Sequence, residues 1–181
     1  VKYQGRTRPV AEVLEETKLL PLSLKEKEGL ALINGTQATT GLGILTFLGA
    51  QTALDTAEVA GCMSLEALKG TPDPFIEEVQ AVRPHQGQIE SAAMLRRLLQ
   101  NSEIRESHRE NDSRVQDPYC LRCMPQVHGA TRNVMRYVQD VLQIEANSTT
   151  DNPLVFTEIQ SVVSAGNFHA QIVSQALDFL C

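Results

Sequence analysis

The sequence predicts a mainly α protein: a segment of a long-helix bundle with one small β-hairpin near residues 154–163. Three observations carry this. From Tyr119 to Glu145, Val127, Ala130, Val134, Val138, Val141 and Leu142 recur at spacings of three and four, the period of a helix with one apolar face. Gly29 to Leu54 contains no charged residue but includes Asn34, Thr36, Gln37, Thr39, Thr40, Thr46, Gln51 and Thr52. That is too polar for lipid and suits a helix buried inside protein. Leu154-Val155-Phe156 and Ser161-Val162-Val163 flank a turn at Thr157 to Gln160, the pattern of a short hairpin.

The elements follow in order. Tyr3-Gln4-Gly5-Arg6 is a turn between short extended pieces. Pro9 can open a helix running to about Glu15, and Pro21 breaks the chain. Ser23 with Glu26 three residues later forms a capping box, so a helix is expected from Leu24 toward Ile33. Asn34-Gly35-Thr36 interrupts it, since Asn-Gly is a strong turn pair. Helical spacing resumes near Gln37 and continues to about Cys62, with Ser64 capping a short helix over Leu65 to Leu68. Gly70 to Pro74 and Pro84 to Gly87 read as loops around a helix at Ile89–Leu99. Residues 101–117 are polar and read as an extended surface connection. Gly166-Asn167 leads into a final helix.

With 181 residues, 42% of them apolar, the chain can bury one core. Residues 1–181 are expected to form one central segment of a larger helical domain, with no internal boundary. The chain does not begin with Met and ends in the apolar run Ala176 to Cys181 with no stop signal, so a piece of something longer is expected.

Composition limits function. The net charge is −6, from 22 acids and 16 bases, and there is no basic run. That argues against nucleic-acid binding, which needs clustered Lys and Arg. No membrane partner is indicated. Four cysteines without a dense framework, and no visible secretory signal, fit a reduced, cytoplasmic protein.

The densest chemistry lies in Gln116-Asp117-Pro118-Tyr119-Cys120-Leu121-Arg122-Cys123. Tyr119 and Arg122 are three apart, hence on one face of a helix that Pro118 can open. A phenol handles protons, and a guanidinium grips a carboxylate in a planar fork. The stretch therefore suggests a site for a small molecule bearing a carboxylate. Cys120 and Cys123 make a CxxC, but no second pair and no βαβ pattern accompany it, so no metal is assigned. Asn34 is either a plain helix break or an amide that partners or a ligand must satisfy. His169 reads as a general base or, more often for a lone His, as a helix-start residue.

Five ordered blocks carry a resemblance. They are Lys27 to Gln37, Arg83 to Ile89, Val115 to Gly129, Asn147 with Thr150 to Phe156, and Gly166 to His169. With these the chain resembles the histidine ammonia-lyases (histidases), a branch of the aromatic amino-acid ammonia-lyase family, over nearly its whole length. The resemblance implies elimination of ammonia from L-histidine to give urocanate. It also implies a homotetramer and a methylidene-imidazolone (MIO) prosthetic group formed from an Ala-Ser-Gly. No Ala-Ser-Gly occurs in residues 1–181, and the family layout puts it upstream, so the segment alone is expected to be inactive.

Residue by residue, Asn34 matches an asparagine near the prosthetic group and substrate, and Gln116 an active-site glutamine. Tyr119 matches the tyrosine acting at substrate and prosthetic group. Arg122 matches the arginine that pairs with the substrate carboxylate, and Phe168 a phenylalanine packed near the prosthetic group. The sequence departs from the family at Cys120 (usually Ser or Thr), Ala165 (usually Gly) and Gln171. Two other readings stand beside this one: a phenylalanine/tyrosine ammonia-lyase or aminomutase sharing the same half-site, and a non-catalytic helical interaction module.

Overall fold

A computed structural model describes residues 1–181. The chain divides into two units, Val1–Gly35 and Thr36–Cys181.

In the first unit, strands β1 (Lys2–Tyr3) and β2 (Arg6–Thr7) pair antiparallel, Lys2 opposite Thr7 and Tyr3 opposite Arg6. Gln4 (φ 46°) and Gly5 (φ 77°) both take positive φ, which a two-residue hairpin turn requires. Helix α1 spans Val10–Thr17 and α2 spans Glu28–Ile33. The expected capping box at Ser23 does not form, and α2 begins four residues later than Leu24. Lys27 takes a left-handed conformation (φ 67°), which no continuous helix can include. The carboxylate of Glu28 accepts the Lys25 N–H at 2.6 Å, doing locally what Glu26 was expected to do.

The second unit is built on α3 (Gln37–Ala67) and α8 (Met124–Ala146), against which α5 (Gln86–Leu98) and α9 (Gln171–Leu180) pack. At ~1.5 Å per residue, α3 is about 46 Å long. It runs straight through Ser64 rather than restarting there. The Ser64 hydroxyl donates to the Ala60 carbonyl at 2.9 Å, a bond available inside a helix that removes the need for a cap. Within these 181 residues the uncharged stretch is only partly buried. Thr40, Gly43 and Leu54 are buried, but Leu42, Leu45 and Leu48 are exposed, because α8 and α9 cover only one side of α3. No helix is long and apolar enough to cross a membrane.

Between α3 and α5 lie a 3₁₀ turn at Asp73–Phe75 and α4 (Glu77–Ala81). The connection after α5 is mostly irregular, as its polarity predicts, with one helical turn, α6 (Glu103–Glu106), where the Ser102 hydroxyl accepts the Arg105 N–H at 2.9 Å.

The long helix expected from Tyr119 is two helices. α7 (Tyr119–Arg122) ends at Cys123 and α8 then begins. Pro125 has no N–H for the Leu121 carbonyl, and its ring crowds that carbonyl, so the ladder breaks there. The predicted hairpin forms: β3 (Leu154–Phe156) pairs antiparallel with β4 (Ser161–Val163), Leu154 opposite Val163. The Asn152 side-chain oxygen clamps its base, accepting from Ser164 Oγ (3.0 Å) and the Ala165 N–H (2.8 Å).

Two apolar clusters hold this unit. Cys62, Leu65, Phe75, Ala92, Leu95, Leu121 and Met124 form one, under α7. Val138, Val141, Leu142, Val173 and Ala176 form the other, where α8 meets α9. Helices α5 and α8 touch through Gly87 and Gly129. A Cβ on Gly87 would strike the Gly129 carbonyl, and one on Gly129 would strike the Gln88 backbone.

Candidate functional site

The site is set by how α7 is mounted. Pro118 caps it in an extended conformation (ψ 156°), and its carbonyl accepts the N–H groups of Leu121 (3.1 Å) and Arg122 (3.2 Å). Leu121 points inward and is buried in the first cluster. The opposite side of this single turn therefore faces outward. It carries Tyr119, which is 74% exposed, and Arg122, whose guanidinium carbon lies 4.7 Å from the centre of the Tyr119 ring. The predicted three-residue spacing thus becomes a cation–π contact that aligns phenol and guanidinium.

Arg122 has no carboxylate partner within the chain. Its Nε is buried and makes no hydrogen bond. Gln126 Oε1 and His128 Nδ1, at the start of α8, are likewise buried and unbonded. Buried donors and acceptors are nearly always satisfied. The three do not face one place: Gln126 lies on the α5 side with Arg83, His85 and Asn133, whereas the His128 ring lies beside Gly61 of α3.

The other predicted residues lie around or apart from this pair. Gln116 is exposed immediately before α7, and Phe168 is half-exposed in the segment between β4 and α9. Asn34 is exposed in the first unit, ending α2, with its N–H bonded to the Leu30 carbonyl at 2.9 Å. His169 is a helix-start residue: its Nδ1 accepts the Gln171 N–H at 3.2 Å. Cys120 is exposed and Cys123 half-buried, and no group of three or more His, Cys, Asp or Glu side chains could hold a metal.

Sequence reasoning missed the charged residues that brace this region. Asp117 is buried, accepts the Thr71 N–H at 2.7 Å and lies 3.3 Å from Arg114 Nη1. Deeper, Glu58 is fully buried and accepts from Ser91 Oγ (2.5 Å), Arg132 Nε (3.1 Å) and Arg132 Nη2 (2.6 Å), joining α3, α5 and α8. Hydrogen bonding to Glu58 raises the pKa of Arg132 against the opposing effect of burial, and the charges of Glu58, Asp55 and Glu90 add to it. A groove of about 960 Å³ beside this network is lined by Asp55, Val59, Glu90, Met94 and Arg132, and by none of the predicted site residues. The one available signal was an acid set inside an otherwise apolar helix face, as at Glu58.

The sequence profile of aromatic amino acid lyases matches residues 1–181. A histidine ammonia-lyase of Myxococcus xanthus (strain DK1622) is 53% identical over 176 residues, covering 97% of this chain and 34% of its own length. The crystal structure of histidine ammonia-lyase from Trypanosoma cruzi superposes with a TM-score of 0.82 at 41% identity, covering 96% of this chain and 31% of that one. The Pantoea agglomerans phenylalanine aminomutase gives a TM-score of 0.87 at 36% identity, covering 98% and 38%. The chain spans about a third of the length of these relatives.

Proposed function

The chain belongs to the aromatic amino acid lyase family, and from that premise we propose that it supplies the carboxylate-binding and tyrosine half of a histidine ammonia-lyase site. The observation that carries this is Arg122: a guanidinium with a buried, unbonded Nε, stacked on an exposed phenol. In the assembled protein Arg122 holds the α-carboxylate of L-histidine. Tyr119, its ring stacked under that guanidinium, moves a proton at the bound amino acid through its hydroxyl. Gln116, Phe168 and Asn34 are carried into this reading by the family resemblance alone.

The residues present are compatible with the family's MIO group: Tyr119 is exposed, and the neighbouring Arg122 has no carboxylate partner of its own. When bound, that group supplies the electrophile that makes ammonia a leaving group. On this reading the parent protein is a cytoplasmic homotetramer that converts L-histidine to urocanate.

The test uses the full-length parent protein with L-histidine, read by urocanate absorbance. Turnover is expected. Tyr119→Phe should lower kcat by about 10²- to 10⁴-fold, the usual contribution of a positioned acid or base. Arg122→Met should act mainly on KM. The 181 residues alone, which contain no Ala-Ser-Gly, should give no turnover. A full-length protein that ignores L-histidine but converts phenylalanine or tyrosine would replace histidase with the lyase or aminomutase reading. Absence of turnover on all three would favour a non-catalytic module.

A further inference from the structure

We propose that Asp117 is the positioning residue for the Tyr119–Arg122 pair: its buried carboxylate ties the start of α7 to the turn that ends α3. The inference rests on the lyase reading for its catalytic consequence, but its structural basis is independent of it.

The helix α7 is only four residues long and follows a connection with little regular structure, from Ser107 to Pro118. A single turn does not hold itself together in water. It runs on into α8 through Cys123, and two side chains attach it further. Leu121 is the apolar one, buried among Cys62, Leu65, Phe75 and Leu95. That contact and the continuation into α8 fix the C-terminal side of the turn but not how the chain enters it. Asp117 is the second, and it is directional.

The Asp117 side chain is 3% exposed. Its Oδ2 accepts the Thr71 N–H at 2.7 Å, a bond spanning 46 residues of chain. Its Oδ1 meets Arg114 Nη1 at 3.3 Å, and the same Nη1 donates to the Leu68 carbonyl at 3.0 Å. Arg114 thus links the carboxylate to the C-terminal end of α3, where the helix dipole favours a cation.

The receiving turn is shaped for this carboxylate. Lys69 takes a positive φ of 52°, and the Gly70 N–H bonds back to the Leu65 carbonyl at 2.7 Å. A Cβ on Gly70 would sit 3.1 Å from Asp117 Oδ2 and 2.6 Å from Leu65 Cδ1, so a glycine leaves the seat open. On the far side the Gly70 carbonyl lies 3.3 Å from His108 Nε2.

Gln116 precedes the tied residue and Tyr119 follows it by two. Both side chains are exposed, and the Arg122 guanidinium lies over the Tyr119 ring. Their direction therefore depends on where Asp117 is pinned. An asparagine at 117 keeps the shape and one acceptor but loses the charge that faces Arg114.

The experiment uses the full-length protein and two readouts. Amide hydrogen exchange is followed by mass spectrometry in the wild type, Asp117→Asn and Arg114→Met. Arg114 is partly exposed, so its variant carries the test if Asp117→Asn fails to fold. Loss of one charge-assisted bond should speed exchange of the Leu121, Arg122 and Cys123 amides by about 10-fold or more. Exchange across Val138–Leu142 should stay unchanged. In parallel, urocanate formation should show kcat reduced by about 10- to 100-fold with KM within about 2-fold, and less than about 3-fold further loss when Asp117→Asn is placed on Tyr119→Phe.

Unchanged exchange at 121–123 overturns the proposal, whatever the activity. An equal kcat loss with and without the Tyr119 hydroxyl also overturns it, since Asp117 would then act by general stability alone. If the wild type turns over no amino acid, the lyase reading fails by itself, and the exchange data still decide whether Asp117 orients α7.

Discussion

Removing Arg132 should expose how much of the fold hangs on one buried carboxylate. Glu58 has no solvent exposure and three hydrogen bonds, two of them from Arg132. In Arg132→Met the side-chain volume is roughly kept, but Glu58 retains only the Ser91 hydroxyl. Leaving a buried charge without its partner costs about 3–5 kcal/mol. The reverse change, Glu58→Gln, is milder. Arg132 is 17% exposed and keeps Asp55 at 3.4 Å, so a loss of about 1–3 kcal/mol follows from one weakened charged bond. The double variant, Glu58→Gln with Arg132→Met, removes both charges at once. It should be less destabilised than the two single losses added together, by about 1–3 kcal/mol of coupling. Urea unfolding of all four proteins measures this. A loss below about 1 kcal/mol for Arg132→Met would refute the argument, as would strict additivity in the double variant, since the pair would then not be holding a desolvated charge.

Two further outcomes follow from the packing. Gly129→Ala should cost about 3 kcal/mol or more, the upper end for overpacking, because its Cβ would meet the Gln88 backbone rather than a movable side chain; thermal unfolding that matches the wild type would contradict the close α5–α8 approach. Burial, with Glu58 and Glu66 adding, pushes the Cys62 thiol up to about 11 from its ordinary 9.0. Keeping the thiol neutral therefore stabilises the fold fully below about pH 9, and that contribution is lost as the pH rises through about 11. Iodoacetamide labelling followed peptide by peptide should leave Cys62 unmodified at pH 8; modification there as fast as at the exposed Cys120 would count against it.

What the sequence made legible was local. The α8 stripe announces itself because a helix repeats its neighbours every three or four residues; Val138, Val141 and Leu142 of it are buried, while Val127 and Ala130 at its start are exposed and Met135, outside the predicted set, is buried. Tyr119 and Arg122 could be paired on paper because three residues of helix separate them, and the ring and guanidinium do meet. Errors arose where a residue had two local uses. Ser64 can cap a helix or bond back inside one, and the sequence does not say which; Glu28, not Glu26, took the N–H before α2. The break at Cys123 was readable, since Pro125 stands in plain view, but the strong periodicity on either side masked it. Non-local partners left no trace at all. Asp117 meets Thr71 across 46 residues and Arg132 meets Glu58 across 74, with nothing in either neighbourhood to name the other. This division has a consequence for the site. The groups that would touch an amino acid, Tyr119 and Arg122, sit on one turn and share a short motif. The acid that aims them, Asp117, lies in the same motif, but the turn that seats it comes from 46 residues away. A variant that keeps the motif Gln116 to Arg122 intact but loses Asp117's partner turn should therefore look competent in sequence and be misaligned in space.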